Sequence, residues 1–246
     1  MKLFLIEPTN ACNARCVFCP HPSKSLHTRP RGYMTWETFT AILERIEGPG
    51  VAINGLGEPL LHPRVGAMVG ALTDRGIRTQ LNTNGRLLDQ AMYDCLWAAG
   101  LERLVVTTDY FPWGDKRIEE RPGLRVGLYK LAAPLEPGHV RKEAHDWGGQ
   151  WWQADMQAVR CSFLAEPWYA VQWDGTVVRC CNDFNGNYPL GHVTKDLPES
   201  AAAPIPICKG CAGYRFRDPL VTGDYDGAAS EAAFAAPPII PQRRTP

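Results

Sequence analysis

Three cysteines, Cys12, Cys16 and Cys19, stand as Cys-x3-Cys-x2-Cys directly after the apolar run Leu3–Ile6. Thiolates are the ligands that soft metals and iron–sulfur clusters select. Three from one short loop can hold three irons of a cubane cluster and leave the fourth iron open to chemistry. A zinc or purely structural site is the competing reading, but zinc knuckles normally pair one Cys-x2-Cys with another nearby. A thioredoxin-like dithiol uses only two cysteines.

Alternating elements position that loop. Strands are expected at Leu3–Ile6, Val51–Ile53, Ile77–Leu81, Leu104–Thr107 and Leu124–Leu128. Helices are expected at Trp36–Ile46, at Val65–Arg75 and, capped by Asp89 and stopped by Gly100, at Gln90–Ala99. Repeated βα units imply a parallel α/β sheet with helical crossovers, open or curled into a barrel. The polar motifs fall at the C-terminal ends of the strands. The cysteine loop follows the first, Asn54-Gly55-Leu56-Gly57-Glu58-Pro59 the second and Asn82-Thr83-Asn84-Gly85 the third, while Thr107-Thr108-Asp109 ends the fourth. Parallel βα folds build their active sites at that edge. Taken singly, each motif is also compatible with ordinary turn or capping chemistry.

After Leu128 the rhythm stops, and residues 132–157 are rich in Pro, Gly, Trp and charge. A hairpin is expected from Trp168–Trp173, a turn at Asp174-Gly175, and Thr176–Arg179. Around it lie Cys161, Cys180, Cys208 and Cys211, a four-thiolate set that in isolation reads as a zinc ribbon. Cys181 is spare: it lines the pocket, replaces Cys180 as ligand, or donates a hydrogen atom. Cys95 reads as an ordinary buried cysteine. From Val221 the chain is Ala/Pro-rich and reads as a flexible tail. The expected division is 1–150 for the α/β part, 151–220 for the hairpin unit and 221–246 for the tail.

With 246 residues, 45% of them hydrophobic, the chain can form one full core, alone or with a small appendage. Lys+Arg and Asp+Glu balance at 26 each, so nothing in the charge supports nucleic acid or an anionic membrane as partner. No signal peptide is evident, and nine cysteines without one favour metal ligation in a reducing compartment over disulfides. A cytoplasmic, oxygen-sensitive protein is expected.

The first loop resembles the Cys-x3-Cys-x-aromatic-Cys signature of the radical S-adenosylmethionine (radical SAM) superfamily, with Phe18 in the aromatic slot. The resemblance implies a partial (β/α) barrel, a 4Fe–4S cluster on Cys12, Cys16 and Cys19, and SAM chelated to the open iron. Reductive cleavage then yields a 5′-deoxyadenosyl radical that takes a substrate hydrogen, the electron coming from an external reductant such as flavodoxin or ferredoxin. Gly57, Glu58, Thr83, Thr107 and Asp109 fall where the family contacts SAM or substrate, with Leu56 replacing the first Gly of the family's Gly-Gly-Glu-Pro. Beside such a core, Cys161, Cys180, Cys208 and Cys211 resemble the twitch module, a short SPASM domain that holds a second 4Fe–4S cluster.

The layout resembles the small twitch dehydrogenases of antibiotic biosynthesis, which oxidise an aminocyclitol alcohol. That resemblance implies a small polar substrate, an aminoglycoside or sugar intermediate, oxidised to a ketone. The catalytic base is expected at Asp146 or His145. His139, Arg141 and Glu143 are further candidates, and Trp147, Trp151 and Trp152 could stack on a sugar face. Because the first strand begins at Leu3, no leader-gripping domain is expected before it. The alternatives are a peptide-modifying enzyme that borrows leader recognition from a partner, an epimerase using Cys181 as hydrogen donor, and a non-catalytic electron carrier or zinc-binding protein.

Overall fold

The computed structural model describes residues 1–16, 19–22, 26–107, 118–119, 121–129, 168–197 and 205–209. Five strands follow one another in parallel: β1 (Lys2–Ile6), β2 (Gly50–Ile53), β3 (Arg78–Thr83), β4 (Arg103–Thr107) and β5 (Arg125–Tyr129). Between them run α1 (Trp36–Arg45), α2 (Val65–Thr73) and α3 (Gln90–Ala98). The hairpin strands β6 (Trp168–Val171) and β7 (Thr176–Val178), with the short β8 (Gly191–His192), complete an eight-stranded sheet of order β5-β4-β3-β2-β1-β6-β7-β8. The sheet is open and mostly parallel, antiparallel only at β6–β7 and β7–β8.

Local chemistry explains the elements. The Thr35 hydroxyl accepts the Thr38 amide to start α1, and the Asp89 carboxylate accepts the Met92 amide to start α3. The helices bury Phe39, Ile42 and Leu43 from α1, Val65, Met68, Val69 and Leu72 from α2, and Tyr93 and Leu96 from α3. These side chains share one core with Leu3, Ile6, Val51, Ile53, Leu81, Leu104 and Val106 of the strands. Phe4, Trp168, Ala170 and Val178 form a second, smaller cluster where β6 and β7 meet β1. Among the described residues no helix is long and apolar enough to cross a membrane.

Most element ends shift by one or two residues from expectation, and a few differences bear on the site. Strand β3 runs on through Asn82 and Thr83, because β4 continues to pair with it as far as Thr83↔Val106. The hairpin is hydrogen-bonded into the main sheet, with β6 parallel to β1, so its tip reaches the same edge as the cysteine loop. Its turn is longer than a bare Asp-Gly: Gly175 donates to the Gln172 carbonyl and takes φ +87°, a turn closed by a left-handed glycine. Cys95 is exposed, not buried. Its Sγ lies beside Gly66, 2.8 Å from where a Cβ there would stand, so it occupies the rim of the α2–α3 contact.

Candidate functional site

The C-terminal ends of β1, β2 and β3 converge. Gly57 is pressed against the start of the cysteine loop: a Cβ there would lie 2.2 Å from the Thr9 carbonyl oxygen and 2.6 Å from that of Ala11. Glycine is required by space, since its φ is not in the left-handed region. The next amide, Glu58 N–H, donates to the Ala11 carbonyl (2.8 Å). The Glu58 carboxylate, 2% exposed, accepts Thr83 Oγ1–H at 2.6 Å, the Asn84 amide at 2.8 Å and the Leu60 amide at 3.1 Å. Burial pushes its pKa up, and these donors oppose that rise. Glu58 thereby bolts the β2 loop to the end of β3. The Leu56 side chain is buried, and its amide donates to Glu7 Oε2 (3.1 Å).

Cys12, Cys16 and Cys19 are all half-buried on the first loop. The Ala14 amide points at Cys12 Sγ (3.4 Å) and the His21 amide at Cys19 Sγ (3.5 Å), while Cys19 N–H donates to the Cys16 carbonyl. Asn84 Nδ2 lies 3.9 Å from Cys12 Sγ and donates to Asn13 Oδ1 at 2.8 Å. Among the described residues no three His, Cys, Asp or Glu side chains already stand in metal-ligand geometry, so the loop gathers the sulfurs without converging them. Burial, helped by the neighbouring thiols, pushes Cys16 up to about 11 and Cys19 up to about 12. Bare thiols in this loop stay protonated at neutral pH, and a cation is what would turn them into thiolates. A clustered, sulfur-only donor set with amides already aimed at two sulfurs fits an iron–sulfur cluster.

A strap over residues 26–34 holds the loop from outside. Asn10 donates to the Pro30 carbonyl (2.8 Å) and accepts the Gly32 amide (2.8 Å), and Thr9 Oγ1–H donates to the Gly32 carbonyl (2.6 Å). The strap is fixed in turn by Glu7, whose carboxylate accepts Arg29 Nη2–H at 2.6 Å, both side chains being buried. The Trp173 amide at the hairpin tip also approaches Glu7 Oε1 (3.4 Å), and the Trp173 ring occupies the space beside Gly32. Farther along, Asn185 accepts the Thr28 amide (3.0 Å) and donates to the Leu26 carbonyl (2.6 Å). The two cysteine-bearing segments are therefore tied through one strap.

His27 lies in that strap, 7% exposed, its Nε2 facing the Asn10 amide nitrogen at 3.3 Å. Desolvation, with Arg29 and His21 adding repulsion, lowers its pKa from 6.5 to about 4. A histidine kept neutral in the fold but protonated when unfolded stabilises fully above pH 6.5, and that contribution is lost as the pH falls from 6.5 to 4. Between pH 7 and pH 4 wild type is therefore expected to lose about 2 kcal/mol more stability than His27→Gln, which lacks the titrating ring. Denaturant unfolding at both pH values measures it, and parallel pH profiles for the two proteins would refute it.

Of the expected site residues, the structure brings together Cys12, Cys16, Cys19, Gly57, Glu58 and Thr83. Thr107 closes β4 on the same edge. Phe18, Asp109, His145, Asp146, Cys161 and Cys211 lie outside the described residues, as do Trp147, Trp151 and Trp152. Cys180 follows β7, whose end lies toward the start of β6, away from the hairpin tip. Its sulfur faces the Asn182 amide (3.4 Å), and hydrogen bonding with Cys181 together with burial pushes its thiol far up. Cys208 lies in the short 3-10 turn Pro206–Lys209. Glu7, Asn10, Arg29 and Asn185 were not singled out from the sequence. Glu7 carried a usable signal, a carboxylate immediately after an apolar strand at the edge where the motifs gather.

An open, mostly parallel α/β sheet carries at its C-terminal edge a three-cysteine loop whose donor set fits an iron–sulfur cluster. Residues 6–121 match the model of the Radical SAM superfamily. The AdoMet-dependent heme synthase of Methanosarcina barkeri is 36% identical over 110 residues, 44% of this chain and 31% of its own. The tungsten-containing aldehyde ferredoxin oxidoreductase cofactor-modifying protein of Pyrococcus furiosus is 32% identical over 116 residues, 46% of this chain and 32% of its own. The chain thus spans about a third of the length of these curated relatives. The crystal structure of BtrN in complex with AdoMet and 2-DOIA shares the fold at a TM-score of 0.61 and 19% identity, over 78% of each chain.

Proposed function

We propose that the chain is a radical SAM dehydrogenase that oxidises a secondary alcohol of a small polar aminocyclitol, aminoglycoside or sugar intermediate to a ketone. The observation that carries this reading is the cysteine loop seated against Gly57 and Glu58 on a sheet that shares its fold with BtrN over 78% of both chains. BtrN is bound to AdoMet and 2-DOIA. In this reading Cys12, Cys16 and Cys19 hold the SAM-binding 4Fe–4S cluster, and Cys161, Cys180, Cys208 and Cys211 hold a second. When bound, these groups supply hydrogen abstraction from carbon and an acceptor for the second electron.

The chain's own residues do the remainder. Glu58, Thr83 and Asn84 keep the β2 and β3 loops rigid around the cysteine loop, as a preorganised site needs. Gly57 lets backbone approach backbone. Asp146 or His145 takes the hydroxyl proton as the carbinol carbon becomes a carbonyl. Net, the substrate loses one hydrogen atom from carbon, one proton from oxygen and one electron.

A second reading follows from the curated relatives, named as a heme synthase and a cofactor-modifying protein and matching this chain at 36% and 32% identity. It is a maturase that acts on a peptide or a cofactor precursor. Anaerobic turnover with SAM, a reductant such as flavodoxin and a panel of amino-sugar and aminocyclitol alcohols separates the two. The dehydrogenase reading expects 5′-deoxyadenosine together with a product two mass units lighter. Cleavage of SAM with every alcohol unchanged, or an epimer of unchanged mass, would overturn it.

A further inference from the structure

The turn after β3 is built to reach the cysteine loop. Thr83 Oγ1 accepts the Gly85 amide (3.0 Å), Asn84 Oδ1 accepts the Arg86 amide (3.0 Å), and Gly85 takes φ +74°, which only glycine adopts freely. This sharp reversal sends the Arg86 side chain back over the loop, where Nη1–H donates to the Asn13 carbonyl at 2.9 Å. Asn13 is gripped from a second side by Asn84, whose Nδ2 also faces Cys12 Sγ. Asn84 is in turn fixed by its amide bond to Glu58. One three-residue turn thus contacts the loop at backbone, side chain and sulfur.

We propose that Asn84-Gly85-Arg86 is a positioning element that fixes the cysteine loop and, through the Arg86 charge, raises the reduction potential of the cluster held there. The inference rests on the reading that Cys12, Cys16 and Cys19 bind a 4Fe–4S cluster. Reduction adds a negative charge to the cluster, and a nearby cation favours the reduced form. Two charges act on the loop in opposite directions. The Arg86 guanidinium is bonded to the carbonyl of Asn13, the residue next to Cys12, and the buried Glu58 carboxylate is bonded to the amide of Asn84, whose side chain faces Cys12 Sγ. Without Arg86 a cation beside the loop is lost, and the cluster becomes harder to reduce. Since Arg86 is exposed, salt screens its contribution.

The test is an EPR-monitored redox titration of reconstituted wild type, Arg86→Met and Arg86→Lys at low and high ionic strength. Arg86→Met is expected to lower the reduced-to-oxidised ratio at a fixed ambient potential by up to about tenfold, equal to 59 mV for a one-electron couple. Arg86→Lys keeps the charge and holds the wild-type potential. Raising the salt moves wild type toward Arg86→Met and leaves Arg86→Met itself in place. The EPR signal reports loaded molecules only, so incomplete assembly of a variant does not obscure the result. Equal potentials for wild type and Arg86→Met, or a Lys variant displaced as far as Met, would overturn the proposal. A wild type with no reducible cluster would instead overturn the reading beneath it.

Discussion

Cys16→Ser is expected to reduce the iron content of reconstituted protein by about four per chain and to bring SAM cleavage down to background. The loop offers three sulfurs and no spare. Each thiol is held protonated by burial, Cys16 up to about 11 and Cys19 up to about 12, so binding depends on displacing all three protons at once. Two remaining cysteines cannot retain a cubane there. Cys12→Ser and Cys19→Ser should behave alike. Cys95→Ser, on the exposed side of α3, should leave both iron and cleavage unchanged. Iron and sulfide analysis with 5′-deoxyadenosine quantification decides the matter, and full iron with normal cleavage in Cys16→Ser would remove this loop from the chemistry.

Arg29→Met is expected to destabilise the fold by about 3–5 kcal/mol. It strands the Glu7 carboxylate, buried at the end of β1, with the Leu56 and Trp173 amides as its remaining donors among the described residues. Burial already raises the Glu7 pKa against the pull of Arg29. With Arg29 gone the carboxyl rises further and protonates more readily, so the loss is largest at neutral pH and shrinks as the pH falls toward the carboxylate range. The double variant Glu7→Gln with Arg29→Met should recover part of the loss, because no buried charge is then left alone. Denaturant unfolding of the four proteins in this cycle gives the coupling. A loss under about 1 kcal/mol in Arg29→Met would show that the pair holds little.

Much of this was legible in the chain. Asp89 as a cap, Gly100 as a stop and alternating apolar runs give α3 and the parallel strands, because capping and periodicity are local physics. The edge location of the cysteine loop, Gly57-Glu58 and Thr83 follows from parallel topology alone. What local pattern could not show is the strap. Arg29, Asn10 and Asn185 act across 22, 20 or more than 150 residues of chain, and no periodicity marks such contacts. The role of Glu58 was legible only by position, since its three donors come from two different loops. The β6 strand joins β1 because Trp168 and Ala170 share an apolar cluster with Phe4, a pairing that a hairpin signal does not announce.

The most direct test of the central claim is the EPR spectrum of the reduced loop cluster with and without SAM. Cys180, Cys208 and Cys211 are replaced by alanine so that one cluster is observed. A cluster with an open iron on Cys12, Cys16 and Cys19 predicts a signal that shifts when SAM is added and returns on its removal. A signal indifferent to SAM, or a loop that takes up zinc in place of iron, would contradict the account.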